Sequence, residues 1–355
     1  MLVEYYFPQS LSPARLDRYL AGGWFRSGPS LFRAKLLCLG GALHSVVNVR
    51  VALEDYHFSR SLRRVLNRSE GRFRVEVGPA TVDEQREGMY RQHKRRFKGF
   101  IFDTLDEFLF GGMSRFLFDT QEMAIYDGDD LVAVSYFDRG HGSVASLLGL
   151  YVSGYQRYSL GLLTMLHEVQ YARDAGYRYF YPGYVLQGYY GFDYKLRLGH
   201  IQYYNWQGRW RPLDRLHEET FVVSVLQKRI AQAAHTLRQG GIAYQQRLYP
   251  FFSVGYLGLM EEDFVRSALC LEVWPGMHQD RCNWLLEYVM EDHLYQLSRV
   301  REAHDYVDLM DTNFSDDFFF SGEERPGLLI REEVLYRHRS SEGILNYLRR
   351  MVPQR

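Results

Sequence analysis

The chain has little cysteine, and what it has is scattered. Its three thiols, Cys38, Cys270 and Cys282, lie far apart in 355 residues and form no CxxC pair. That excludes a disulfide framework and a zinc-ribbon spacing. Twelve histidines are present without any HxH or HxxxH pattern, so no metal is expected. No apolar run reaches the roughly 20 residues that a membrane-spanning helix needs. The opening segment carries an acid at Glu4 and no basic stretch, so no secretory signal is expected. These absences predict a reducing, cytoplasmic setting away from membranes. Net charge is also lacking, since 43 Lys and Arg balance 43 Asp and Glu. Internal repeats and low-complexity segments are missing too.

Aromatics are abundant: 28 Tyr, 23 Phe and 5 Trp. Tyrosine offers an apolar body with a polar tip, suited to cores and to stacking alike. The zero net charge hides an uneven distribution. The first hundred residues carry 18 Lys and Arg against 9 Asp and Glu. That excess fits either a polyanion-facing surface or a scattered solvated one.

Local patterns predict an α+β protein. Ser12-Pro13 opens a helix over residues 11–20, ended by Gly22-Gly23. Residues 25–30 read as a turn and 45–53 as an alternating strand. Thr81 with Glu84 reads as a capping box for a helix over 81–97. A second, short helix is expected over 103–110. Asp127-Gly128-Asp129-Asp130 is a hairpin turn between strands 122–126 and 131–136, lacking the spacing of a calcium loop. A strand over 143–152, a helix over 159–176 and a strand over 177–181 complete a mixed α/β unit. Beyond residue 219 three periodic stretches, 219–238, 283–303 and 332–351, read as helices, with a loop over 313–327. Three domains follow: residues 1–78, residues 79–219, and a mainly helical extension over 220–355.

Two segments carry chemistry. In the first, Arg157, Ser159 and Gly161 sit where a turn enters a helix. Backbone N–H groups are unpaired there, so the turn can cradle a phosphate or a pyrophosphate, or simply cap the helix. In the second, Tyr181-Pro182-Gly183-Tyr184, Tyr189-Tyr190 and Tyr194-Lys195 form an aromatic run. It suits either stacking on an RNA end or core packing.

These segments resemble the catalytic domain of the arginyl/leucyl-tRNA–protein transferases, the aminoacyltransferases of the N-degron pathway. That family has a Tyr, a Ser-Leu-Gly turn and a long helix. A Tyr-x-Gly-Tyr strand and a loop ending in Tyr-Lys follow. Here these are Tyr151, Ser159-Leu160-Gly161, Tyr181 to Tyr184, and Tyr194-Lys195. Gly208-Arg209-Trp210-Arg211-Pro212-Leu213 is similar to its Arg-Pro-Leu segment. Leu11-Ser12-Pro13, Gly23 to Pro29, Leu31-Phe32-Arg33 and Phe58 to Leu66 are similar to its N-terminal domain. The resemblance covers roughly residues 10–215. Two departures stand out. The family's N-terminal cysteine cluster is reduced to Cys38, which cannot hold a metal or iron–sulfur cluster. Its Cys-Pro-Lys-Met is replaced by Tyr189-Tyr190-Gly191-Phe192, which bears on substrate choice.

The resemblance implies an acetyltransferase-like mixed sheet with flanking helices, preceded by a small N-terminal α/β domain. It implies transfer of an amino acid from aminoacyl-tRNA to the free amine of an acceptor protein or peptide, with no cofactor and no DNA partner. Tyr184 and Tyr194 would surround the aminoacyl end. Asp193 would orient or deprotonate the amine, or else pair with Lys195 or Arg197. Lys195 or Arg197 would hold a phosphate or an acidic acceptor side chain. Tyr151, Arg157, Ser159, Gly161, Tyr181 and Gly183 would line the substrate site. Arg60, Arg63, Arg64, Arg68, Lys94 and Arg95 would meet tRNA phosphates. Two alternatives remain: a CoA-dependent N-acyltransferase, and a non-catalytic binder of tRNA or degrons.

Overall fold

The computed structural model describes residues 1–95, 102–111, 117–217, 221–258, 261–274, 284–303 and 327–351. Strand β1 (Val3–Tyr6) leads to helix α1 (Pro13–Ala21). Ser12 caps α1 by accepting from the Arg15 amide, and Pro13 fills the first turn, where no N–H is needed. The stretch expected to be only a turn is the hairpin of β2 (Phe25–Ser27) and β3 (Ser30–Ala34). Gly28 and Pro29 make the bend, while cross-strand pairing of Phe25 with Phe32 extends the flanks. β1 adds to the other side of β3.

A nine-stranded sheet forms the centre. It is built from β4 (Leu36–Leu39), β5 (Ala42–Ala52), β6 (Phe73–Pro79), β7 (Thr120–Asp127), β8 (Asp130–Arg139), β9 (Ser143–Tyr151), β10 (Tyr179–Leu186), β11 (Ile201–Tyr204) and β12 (Trp210–Pro212). Its order is β12-β11-β5-β10-β9-β8-β7-β6, with β4 paired to β5 off this path. β5 therefore lies in the middle of the sheet, between β11 and β10. The boundary expected at residue 78/79 falls within one sheet instead of between two units.

Helices cover both faces. α2 (Arg60–Ser69) and α5 (Leu160–Asp174) pack on one, burying Leu62, Leu162, Leu166 and Val169 against Val49, Val51 and Phe180. α3 (Glu84–Lys94) and α4 (Leu105–Phe110) pack on the other, burying Met89, Tyr90, Leu105 and Leu109 against Val134 and Leu150. α3 starts later than expected. Asp83 caps it through the Arg86 amide at 2.8 Å. The Thr81 amide and hydroxyl are instead drawn to Glu122, at 3.0 and 2.8 Å. Glu122 is buried beside Arg86 and needs those donors.

The C-terminal part corrects the expected helical extension. After α6 (Val222–Gln239) come five antiparallel strands: β13 (Ala243–Leu248), β14 (Leu269–Trp274), β15 (Trp284–Val289), β16 (Leu294–Ala303) and β17 (Leu328–His338). Helix α7 (Ser341–Met351) follows. Residues 283–303 thus contain two strands, and 332–351 a strand end and a helix. Leu285, Leu286, Glu287 and Tyr288 are all buried, so β15 is covered on both faces. Such a strand does not alternate and resembles a helix in sequence. The loop expected over 313–327 lies outside the described residues except for Gly327, as does Cys282. This sheet shares its core with Leu2, Val3, Leu36, Cys38 and Val46, so both ends of the chain pack together. No described helix is long and apolar enough to cross a membrane.

Candidate active site

The central sheet opens between two parallel strands. β9 and β10 pair only over Tyr179–Tyr181 against Ser143–Ala145. Beyond that point β9 stays with β8 as far as Tyr151, whereas β10 passes through a bulge between Phe180 and Gly183 and follows β5. Gly183 sits at φ +95°, a conformation that side chains rarely adopt. The bulge re-aims β10 away from β9. Backbone groups on the two facing edges therefore have no strand partner across the gap.

On the α5 side, the end of β9, the start of α5 and the Tyr194 turn come together beside the gap. Ser159 starts α5 in the left-handed region (φ +52°) and provides no side-chain cap. The Leu162 and Leu163 amides donate to the Ser159 carbonyl, and the Leu160 and Gly161 amides are the ones left without a bond among the described residues. Gly161 allows the Tyr151 ring to approach closely: a β-carbon there would lie 3.2 Å from it. Tyr194 stands near Tyr151, and burial of its hydroxyl pushes its pKa up to about 12, with the Glu168 and Tyr151 charges adding to the rise. The Arg157 carbonyl accepts from Arg68 Nη1 at 2.7 Å. That bond ties the cationic helix α2 to the start of α5.

On the opposite side, a cavity of about 180 Å³ opens beneath β10. Trp24, Phe25, Tyr181, Tyr184 and Phe192 give it aromatic walls. Its polar groups are Arg26, Asn48, Asp138 and Lys195. The Lys195 ammonium donates to the Tyr184 carbonyl at 3.1 Å and lies over the Tyr184 and Phe192 rings. No carboxylate pairs with it among the described residues, and burial lowers its pKa to about 8. Arg26 is held by Asp138 at 2.7 Å, by Thr120 at 2.8 Å and by the Leu109 carbonyl. Asp138 Oδ2 and Asn48 Oδ1 are buried without a partner among the described residues. Burial pushes the Tyr184 hydroxyl up to about 12 and raises that of Tyr181.

The expected site residues thus fall into two sets. Tyr151, Arg157, Ser159, Gly161 and Tyr194 lie on the α5 side of the gap. Tyr181, Gly183, Tyr184 and Lys195 line the cavity. Asp193 and Arg197 stand apart. Neither makes an ion pair among the described residues, so Asp193 is not neutralised by Lys195 or Arg197. Arg60, Arg63, Arg64 and Arg68 are exposed along α2, on the α5 side of the sheet. Lys94 and Arg95 end α3 on the other face, and Lys94 is paired to Asp103 at 2.6 Å. The six cations do not form one patch. Sequence reading missed Asn48, Asp138 and Glu168. Asn48 sits in an alternating strand that reads as ordinary sheet, Asp138 lies beyond the strand expected over 131–136, and Glu168 sits in a helix buried on nearly every side.

Comparison with known proteins matches residues 80–205 to the family profile described as "Arginine-tRNA-protein transferase, C terminus". An aspartate/glutamate leucyltransferase of Xanthomonas campestris pv. campestris (strain B100) is 31% identical over 176 residues, 47% of this chain and 69% of that protein. The chain belongs to this transferase family. A second relative, the aspartate/glutamate leucyltransferase of Leptospira interrogans serogroup Icterohaemorrhagiae serovar copenhageni, is 26% identical over 54% of this chain and 76% of its own. A solved structure, L-PGS from Bacillus licheniformis, matches 39% of the transferase and 47% of that chain at 17% identity. Its TM-score is 0.30, too low to bear on the fold. The matched profile spans both edges of the gap, β9 and β10, together with α5 and the Tyr194-Lys195 turn. It does not include β5, which brings Asn48 to the transferase's cavity.

Proposed function

We propose that the chain moves an aminoacyl group, leucyl by analogy with its relatives' names, from charged tRNA to the N-terminal amine of an acceptor beginning with Asp or Glu. The observation that carries this reading is the gap between β9 and β10, with the arginine-bearing helix α2 and the start of α5 on one side, which we read as the groove for the tRNA end, and an aromatic, lysine-bearing cavity on the other. We read the sheet as acetyltransferase-like, with the tRNA end taking the place of an acyl carrier. Arg60, Arg63, Arg64 and Arg68 would hold phosphates and direct the terminal ribose past Tyr151 and the α5 N-terminus. The aminoacyl ester would lie in the gap. A strand N–H left unpaired there, or the Tyr194 hydroxyl, would receive the developing oxyanion.

The acceptor would enter from the cavity. Lys195, desolvated and without a carboxylate beside it, would receive the acidic side chain of its first residue. Asp193, outside any ion pair among the described residues, would orient the amine. The donor is already an activated ester and the amine has a reference pKa of about 8. Juxtaposing the two supplies much of the rate. An assay with tRNA charged with labelled amino acids, and with peptides beginning with Asp, Glu, Lys or Arg, tests the reading. Label on the Asp and Glu peptides supports it. Intact, tRNA-binding protein that labels no peptide would reduce the chain to a binder. A protein that binds CoA and ignores tRNA would return it to the acyl-CoA reading.

A further inference from the structure

The α5 side of the gap holds a buried acid to which the reading above assigns no role. Glu168 lies two turns into α5 and is fully buried. Neither carboxyl oxygen has a hydrogen-bond partner among the described residues. The hydroxyls of Ser135 on β8 and Ser146 on β9 face it closely enough to favour its ionised form without closing bonds of ordinary length. Ser146 is also one of the residues around the aromatic cavity, so the same residue borders both the buried carboxyl and the space assigned to the acceptor. One turn earlier on the same helix face, Thr164 lies against Gly149, and beyond it Gly161 lies against Tyr151. A small, polar seam therefore runs from the groove mouth down to Glu168.

Folding alone does not call for an acid here. A buried carboxyl with no cation costs stability that a Leu or Met of similar size would not. The groups around it are few. Tyr194 faces it from the turn after β10, and Tyr151 stands beside Tyr194 at the end of β9. β7 and β10 bring apolar Met123, Ile125, Phe180 and Val185 to this face. His167 adjoins it on α5, and burial lowers that imidazole's pKa, favouring the neutral form. No described Lys or Arg pairs with Glu168.

Resting on the transferase reading, we propose that Glu168 is the proton store of the transfer reaction, acting on the acceptor amine through the Ser146 hydroxyl. The amine nitrogen forms a bond to the ester carbonyl carbon, and the bond from that carbon to the terminal ribose oxygen breaks. The proton shed by the nitrogen passes through Ser146 to the Glu168 carboxylate. It then returns by the same route to the departing ribose oxygen, so the carboxyl ends as it began. Burial pushes the Glu168 pKa up to about 7, which suits a group that must both take and release a proton near neutrality. Glu168 does not touch the substrate; it is a positioning and relay residue behind Ser146.

The test is single-turnover transfer of labelled leucine from tRNA to an Asp-initiated peptide, followed from about pH 5.5 to about 9 around the expected ionisation. The full chain, Glu168→Gln and Ser146→Ala are compared at saturating acceptor. The wild type should show a rate that rises through an ionisation near 7, below the amine's own. Glu168→Gln should lose that limb and slow by about 10²-fold or more. Ser146→Ala, which leaves the carboxyl in place, should lose the same limb. An unchanged profile and rate in Glu168→Gln overturns the proposal, as does a Ser146→Ala profile matching wild type. Both results leave the transferase reading standing. A wild-type chain that transfers nothing overturns that reading, and this proposal with it.

Discussion

The Lys195 ammonium lies 3.4 Å from the point where a β-carbon on Gly183 would sit. The bulge and the lysine are therefore one feature: the strand turns away from β9 at the residue whose missing side chain leaves room for the cation. Gly183→Ala places a side chain at φ +95° and crowds Lys195. Such backbone strain costs about 1–3 kcal/mol. The variant should show a lowered melting temperature and, in the folded fraction, slower transfer. A Gly183→Ala protein as stable and active as wild type would mean that the bulge is not needed to hold the gap open.

Lys195→Met keeps the length of the side chain and removes the charge. If Lys195 receives the acceptor's carboxylate, the variant loses a charge-assisted bond of about 1.5–3 kcal/mol. That corresponds to roughly a 10- to 100-fold rise in KM for Asp and Glu peptides, with binding of charged tRNA unchanged. A stability readout runs alongside. The lysine's pKa falls from 10.5 to about 8 on folding. Between those values the unfolded chain binds the extra proton, so native wild type gains stability as pH rises through the window. Lys195→Met should lack this gain. Equal slopes of melting temperature against pH in the two proteins would contradict the buried, unpaired ammonium.

Features set by neighbouring residues were legible in the sequence. Ser12-Pro13 at the start of α1 and the Asp127 to Asp130 hairpin are local devices. A capping hydroxyl or a Gly at φ +66° is specified within four residues. The motif residues proposed for the site are likewise read from short local runs. Long-range pairing was not. Nothing near β5 indicates that it is inserted between β11 and β10, since its partners lie more than 120 residues away. β15 and β16 were misread because burial on both faces erases alternation, and their connection at Glu291, Asp292 and His293 contains neither Gly nor Pro to mark a turn. Glu168 was invisible for a related reason. A charged residue within a helix reads as a solvent-facing position, and only the packing of β8, β9 and the Tyr194 turn around it makes it buried.

Glu168→Gln should also alter stability, with a sign opposite to that of Lys195. The carboxyl's pKa rises from 4.5 to about 7 on folding. Between those values the folded state holds the extra proton, so wild-type stability falls as pH rises through the window. Above about pH 7 the neutral amide avoids that penalty. Glu168→Gln should then be the more stable protein by on the order of 3 kcal/mol, while transferring more slowly. Denaturant melts at about pH 5 and about pH 8 measure the difference. A variant less stable than wild type at both pH values would mark Glu168 as a structural group.

The exposed arginines of α2 yield a prediction that separates RNA binding from chemistry. Arg63 and Arg64 are solvent-exposed and make no ion pair among the described residues. Their replacement therefore removes charge without unpairing an acid. Every arginine–phosphate interaction removed should weaken tRNA binding and lower the slope of log affinity against log salt by about one. Arg63→Glu with Arg64→Glu should thus bind charged tRNA more weakly at moderate salt, with a flatter salt dependence. The KM for acceptor peptide should be unchanged, because the cavity lies on the other face of the sheet. Lys94→Ala serves as the contrast: its ammonium is already paired to Asp103 on that other face, so it should leave the salt slope where it was. If Lys94→Ala flattens the slope and the α2 double variant does not, the RNA approaches from the α3 side, and the assignment of groove and cavity must be exchanged.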